Sequence, residues 1–252
     1  MPNAIIDVEH LVKRYDDVVA VNDVTFQVQE GEIFGLLGPN GAGKTTTLEI
    51  IETLKSATSG TITVDGFDVK SRPNEVKARI GIQLQAAGYY PYLNLAEILG
   101  MFGVMYGVPV DADGLLAKMN LTEKRNSTFI KLSGGQKQRF SIATTLVNNP
   151  RIVFLDEPTT GLDPQARVNL WDVVRELRAG GTTVVLTTHY MDEAEKLCDR
   201  LAIMDSGKII AEGTPPELIK NLLDSGFQAR REVQAASLDD VFLSLTGRSL
   251  NE

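Results

Sequence analysis

Eight residues constrain this chain more than any others. Gly38-Pro39-Asn40-Gly41-Ala42-Gly43-Lys44-Thr45 follows an apolar run, Ile33-Phe34-Gly35-Leu36-Leu37, and opens a stretch expected to be helical over residues 45–54. The pattern fits a loop that wraps phosphate. Its glycines let backbone N–H groups curl around oxygens, and the helix start adds positive potential. Lys44 is then expected to pair with β- and γ-phosphates, and the Thr45 hydroxyl to ligate Mg²⁺. The plain alternative is a glycine-rich turn that merely joins strand to helix. Strand, loop, Lys-Thr and helix in the required order weigh against it.

The rest of the chain supports an α/β class. Residues 24–28 alternate apolar and polar, and Glu30-Gly31-Glu32 turns the chain into the run before the loop. Residues 61–64 alternate again and end at Asp65-Gly66, a hairpin signal. Later, a buried strand at 152–155, a helix at 165–178 stopped by Gly180-Gly181, and a strand at 184–186 alternate as a parallel sheet with covering helices requires. Residues 201–211 read as a closing antiparallel hairpin. Residues 95–146 carry helical patterning without a convincing strand, which reads as a helical subdomain inserted into the α/β core.

Composition excludes several classes. The 252 residues hold 33 acidic and 25 basic side chains, a net charge of −8, so the global field repels a polyanion and a nucleic-acid binder is disfavoured. One cysteine, Cys198, excludes a disulfide framework or a multi-cysteine metal site, and two histidines leave little for zinc. The longest apolar stretch, 98–110, falls short of a membrane span and is broken by three glycines and a proline. The amino terminus lacks a basic region followed by an apolar run, so no signal peptide is expected. A soluble, cytoplasmic chain is the expectation, with Cys198 and Trp171 as packing residues.

Two further units carry chemistry. Residues 152–155 lead into Asp156-Glu157, placing two carboxylates at the carboxyl end of a strand, where α/β folds bind ligands. Asp156 suits Mg²⁺ and Glu157 suits a general base acting on water. Two adjacent acids alone would be a solvated turn; the buried strand and the phosphate loop reverse that preference. Leu132-Ser133-Gly134-Gly135-Gln136 contains a Ser-x-x-Gln capping box, with a helix expected to run to Asn149 before Pro150. Two glycines at a helix start also make an anion site, and spacing alone leaves both readings open.

In this order, the phosphate loop, Leu-Ser-Gly-Gly-Gln and Leu-Asp-Glu-Pro resemble the nucleotide-binding subunit of an ATP-binding cassette (ABC) transporter, over about residues 5–215. The resemblance implies an α/β phosphate-loop ATPase core with a mixed sheet, an antiparallel β subdomain and an inserted α-helical subdomain. It implies an ATPase domain over 1–220, with the helical part near 86–150. ATP and Mg²⁺ follow as ligands. By the family pattern Gly38, Pro39, Asn40, Gly41, Ala42, Gly43, Lys44, Thr45 and Thr46 bind ATP, and Tyr15 stacks on adenine. Gln85, preferred over Gln83 by spacing, senses Mg²⁺ and the attacking water, and His189 contacts the γ-phosphate. Thr45, Gln85 and Asp156 form the metal set. Glu157, His189, Gln85 and Lys44 carry catalysis. In relatives two subunits sandwich two ATP molecules. Ser133, Gly134, Gly135, Gln136 and Asp163 are therefore expected to act on the nucleotide of the partner copy. The dimer is a homodimer or a heterodimer with another ABC ATPase.

Beyond the core, residues 221–252 read as a short extension. Leu238, Val241, Phe242 and Leu245 lie at i, i+3, i+4, i+7, an amphipathic helix over 238–246 with Ser237 as cap and Gly247 as stop. This ending resembles bacterial drug- and antibiotic-export ATPases of the daunorubicin-resistance type, whose multi-spanning membrane permease is a separate chain. The segment between Pro216 and Leu238 is shorter than the accessory region such subunits carry. The resemblance implies export of a small molecule, drug or lipid-like substrate by a subunit held on the inner face of the cell membrane. The competing expectation is a cytosolic assembly scaffold of the iron–sulfur biogenesis type. Tyr89, Tyr90 and Tyr92 cannot all point inward, and the segment 86–93 is expected to meet the permease.

Overall fold

The computed structural model describes residues 4–83 and 88–227, together with 241, 244 and 245. The chain forms two compact units, one from Met1–Val76 with Val185–Glu252 and one from Lys77–Val184.

The first unit opens with two long strands, β1 (Ala4–Tyr15) and β2 (Val18–Gln29), paired antiparallel around a tight turn in which Tyr15 faces Val18. The alternation read at 24–28 places Val24, Phe26 and Val28 inward. After the Glu30-Gly31-Glu32 turn, β3 (Ile33–Leu37) is buried at every position. It is followed by α1 (Lys44–Ile51), β4 (Ser59–Val64), β5 (Phe67–Asp68) and α2 (Pro73–Lys77). Strands β2-β1-β4-β5 make a four-stranded antiparallel sheet.

Helix α1 ends three residues before the expected Leu54. Thr53 takes a left-handed φ of 64°, its N–H donates to Ile50 O at 3.1 Å, and Leu54 N–H donates to Glu49 O at 2.8 Å. These paired bonds close a Schellman turn, which the sequence hides because its left-handed residue is a threonine rather than a glycine.

The second unit contains β6 (Ile80–Gln83), α3 (Leu95–Tyr106), α4 (Ala112–Lys118), two short 3₁₀ turns, α5 (Gly134–Thr145), β7 (Ile152–Asp156) and α6 (Pro164–Ala179). Strands β6 and β7 run parallel, with Ile80 opposite Ile152 and Gln83 opposite Leu155. On α6, Leu170, Trp171, Val173, Val174 and Leu177 form the buried face. Helix α5 stops at Thr145, short of the expected Asn149. The Thr144 and Thr145 hydroxyls donate back to Ser141 O and Ile142 O at 2.7 and 2.8 Å, and Leu146 N–H drops to an i−3 bond with Ala143 O. Such back-bonding competes with the helical ladder, so Pro150 set only an outer limit.

Strand β8 (Thr183–Thr188) carries the chain back into the first unit. There α7 (Met191–Leu197), β9 (Arg200–Asp205), β10 (Lys208–Gly213) and α8 (Pro215–Asp224) follow. Strand β9 pairs parallel with β3 and antiparallel with β10, so this sheet is mixed. Cys198 is buried at the exit of α7, close against Gly35. Of the amphipathic helix expected at 238–246, Val241, Ser244 and Leu245 are helical. Val241 is buried, but Leu245 is 48% exposed, against the expected apolar face. Its other positions lie outside the described residues.

One polar cluster braces the first unit. The Arg200 guanidinium donates to Gln27 O at 3.2 Å, to Glu32 Oε1 at 3.0 Å and to Glu212 Oε1, and lies 5.6 Å from the Phe34 ring centre. Burial raises the Glu32 and Glu212 carboxyls above the ordinary range, while Arg200 pulls the other way. Arg200→Met is expected to cost about 2–4 kcal/mol at pH 8, mostly because it strands the buried Glu32 carboxylate, the exposed Glu212 adding little. An acid with a raised folded pKa stabilises the fold below its unfolded pKa and loses that contribution as pH rises through the folded one. Urea melts should therefore show the deficit widening from pH 5 to pH 8. A deficit independent of pH would discount the carboxylates.

Candidate functional site

The phosphate loop lies in the first unit, between β3 and α1. Gly38 N–H donates to Thr188 O at 3.3 Å, so the loop starts beside the end of β8. Gly43 precedes α1 with φ +100°, and a Cβ there would sit 2.5 Å from Ala20 O. Only glycine fits that conformation and that approach. No side chain caps α1. The positive end of its dipole therefore faces the loop with no capping side chain on it. Lys44 Nζ is buried and donates to Gly38 O at 2.8 Å and Pro39 O at 3.1 Å, so the ammonium is folded over its own loop. Asn40, Gly41 and Thr45 are exposed, and Thr46 is half-buried.

Two more expected residues belong to this unit. His189 follows Thr188, the acceptor for Gly38, and its ring lies 4.1 Å from that of Tyr190. The structure thus brings His189 next to the strand end that holds the loop. Tyr15 sits at the end of β1 with 39% of its surface exposed.

The acidic pair and the Leu-Ser-Gly-Gly-Gln run belong to the second unit. Asp156 ends β7, and Glu157 follows with φ +48°, a left-handed conformation that costs energy for a residue other than glycine. Thr160 Oγ1 donates to Glu157 Oε2 at 3.2 Å and steadies the carboxylate. Asp163 caps α6, its Oδ1 accepting from Ala166 N–H at 2.9 Å. Ser133 caps α5 through the expected box: Gln136 N–H donates to Ser133 Oγ at 3.3 Å, and Ser133 N–H to Gln136 Oε1 at 3.0 Å. Gly135 packs closely on α6: a Cβ there would lie 3.0 Å from Ala166 Cβ, a tight contact. A Cβ at Gly134 would lie 3.9 Å from Leu162, an ordinary contact.

Gln85 lies outside the described residues. Its competitor Gln83 is buried in β6, opposite Leu155. The tyrosine segment divides. Tyr89 turns inward, its hydroxyl 3.1 Å from both Ser141 Oγ and Thr144 Oγ1 and its ring edge-on to Phe102, Phe129 and Phe140 at 4.5–6.3 Å. Tyr90 and Tyr92 are 63% and 93% exposed. Tyr89 is therefore a packing residue of the second unit. Three tyrosines in four positions carry no period from which this split could be read.

Residues 21–160 match the family model described as ABC transporter. A curated relative, Nod factor export ATP-binding protein I of Burkholderia lata, is 45% identical over 226 residues, covering 88% of this chain and 74% of the relative. The solved ATP binding subunit of an ABC transporter superposes with a TM-score of 0.81 at 30% identity, covering 96% of this chain and 99% of that one. A dimeric ATP-binding cassette in a post-hydrolysis state with ADP and Pi superposes with a TM-score of 0.73 at 27% identity, covering 83% of this chain and 98% of that one.

Proposed function

This chain belongs to the ABC transporter family as an ATP-binding subunit, and from that premise we propose that it hydrolyses ATP to power export of a small molecule, drug or lipid-like substrate through a separate permease. The observation that carries the reading is a phosphate loop whose Gly43 only glycine can occupy, in a chain that matches a named export subunit over 88% of its length. The scaffold alternative is set aside, because the relatives are named for export.

Tyr15 stacks on the base, and the loop of residues 38–46 holds the phosphates. Lys44 and His189 contact the γ-phosphate. Glu157 takes the proton of the attacking water. Thr45, Asp156 and Gln85 offer the oxygen donors that suit Mg²⁺, and among the described residues no cluster of carboxylates and imidazoles competes for it. Mg²⁺ held there would supply charge neutralisation for the phosphates. The protein's own contribution is positioning and charge stabilisation. Ser133, Gly134, Gly135, Gln136 and Asp163 act on the nucleotide of the partner copy in an ATP-dependent dimer, as a homodimer or with another ABC ATPase. ATP then favours the closed dimer and hydrolysis releases it, a two-state element that can move a permease.

Among the described residues no helix is long and apolar enough to cross a membrane. The subunit is assigned to the cytoplasm, peripheral on the inner face of the cell membrane. Tyr90 and Tyr92 are assigned to the permease contact, since an exposed tyrosine offers an apolar face and a polar tip. Tyr90→Ala with Tyr92→Ala is expected to abolish co-purification with the multi-spanning partner and its transport, leaving ATPase activity of the isolated subunit within about two-fold, as surface changes do. Tyr89→Ala should instead destabilise the subunit by about 2–4 kcal/mol through loss of its aromatic cluster. Full transport by the double variant would remove the two tyrosines from the interface. Failure to retain any membrane partner in the wild type would remove the export reading.

A further inference from the structure

Two ammonium groups converge on the exposed ring of Tyr15. Lys13 Nζ lies 4.8 Å from the ring centre and Lys55 Nζ 5.7 Å from it. Both cations are tethered. Lys13 Nζ donates to Ser56 O at 2.7 Å, and Lys55 Nζ pairs with Glu49 Oε2 at 2.6 Å. Hydrogen bonding to Glu49 raises the Lys55 ammonium above the ordinary lysine range, and Tyr15 adds to it.

The backbone ties the same segments together. Arg14 N–H donates to Thr58 Oγ1 at 3.0 Å, and Thr58 N–H to Val12 O at 2.8 Å. One lysine comes from the strand that carries Tyr15, and the other from the turn that closes α1. Helix α1 therefore has the phosphate loop at its start and this clamp just past its end. Strand β2, which follows the Tyr15 turn, reaches the loop again where Ala20 O faces Gly43.

We propose that Lys13 and Lys55 are positioning residues for nucleotide binding, holding the Tyr15 ring in the orientation that stacks on the base of ATP. The proposal rests on the reading of Tyr15 as the base platform. An unrestrained surface ring must be ordered when a base stacks on it, and that ordering weakens binding. Two cations over one ring order it beforehand, each worth about two- to five-fold in an equilibrium at an exposed site. The lysines act through the ring, so their effect should follow the base and ignore the phosphates.

Calorimetric titration with ATP and with inorganic tripolyphosphate, both with Mg²⁺, separates the possibilities. Lys13→Met with Lys55→Met is expected to weaken ATP binding about five-fold and leave tripolyphosphate unchanged, with Lys13→Arg and Lys55→Arg restoring ATP affinity. Tyr15→Ala should weaken ATP alone, and adding the methionine pair to it should do nothing more. Should the pair impair folding, Lys13→Met alone gives the same contrast at about two-fold. Equal weakening of both ligands by the methionine variants means plain attraction to phosphate and overturns the clamp. If Tyr15→Ala lowers ATP affinity but the methionine variants do not, the clamp fails and the base platform stands. If Tyr15→Ala leaves the ratio of the two affinities unchanged, the platform fails and the clamp with it.

Discussion

Glu157→Gln is expected to bind ATP as the wild type does and to hydrolyse it about 10²–10⁴-fold more slowly, the usual loss when a general base is removed. The substitution suits this position. Glu157 has φ +48° and accepts from Thr160 Oγ1, and the amide oxygen of glutamine can keep that bond. Alanine would give up that bond at a strained backbone position and mix a structural effect with the chemical one. Binding without turnover should trap an ATP-loaded dimer, so light scattering should report twice the monomer mass in ATP and the monomer in ADP. Phosphate release near the wild-type rate would assign the base elsewhere.

Lys44→Ala should act one step earlier, at binding. The buried ammonium is held at 2.8 and 3.1 Å by the carbonyls of Gly38 and Pro39, on the loop assigned to the phosphates. Charge-assisted hydrogen bonds contribute about 1.5–3 kcal/mol each, so losing the contact should weaken ATP affinity about 10²-fold. The loop carbonyls lose a donor as well, which should lower the melting temperature by only a few degrees. Nucleotide titration beside a thermal melt reads both quantities. Unchanged affinity in a folded variant would overturn the phosphate-loop assignment.

What could be read in advance was local. Strand, loop and helix around Gly38–Thr45, the hairpin of β9 and β10, and the Ser133–Gln136 box depend on residues close in sequence, where periodicity and capping chemistry speak directly. Nothing near Arg200 in the chain announces that it meets Glu32, 168 positions away. The same holds for Lys55 above Tyr15, and for Tyr89 against Ser141. The ends of α1 and α5 are hidden for a different reason. A left-handed threonine closes α1, and threonine hydroxyls end α5, whereas the familiar stop signals are glycine and proline. The candidate site divides along the same line: motifs located the residues, while the acceptors around Lys44 and Glu157 needed coordinates.

The cap on α5 has a consequence for recognition. A serine hydroxyl has two lone pairs and one proton, and in the box the oxygen spends a lone pair on Gln136 N–H. The proton is not consumed by that bond. Ser133 is exposed, so its oxygen is anchored while its O–H can rotate to any acceptor that arrives from outside the chain. The helix start thereby offers an incoming phosphate oxygen a neutral donor on a fixed pivot. Aspartate, an equally good cap, would satisfy the helix and turn a negative charge on that visitor. Between two residues that build the same helix equally well, only one leaves the door open to an anion.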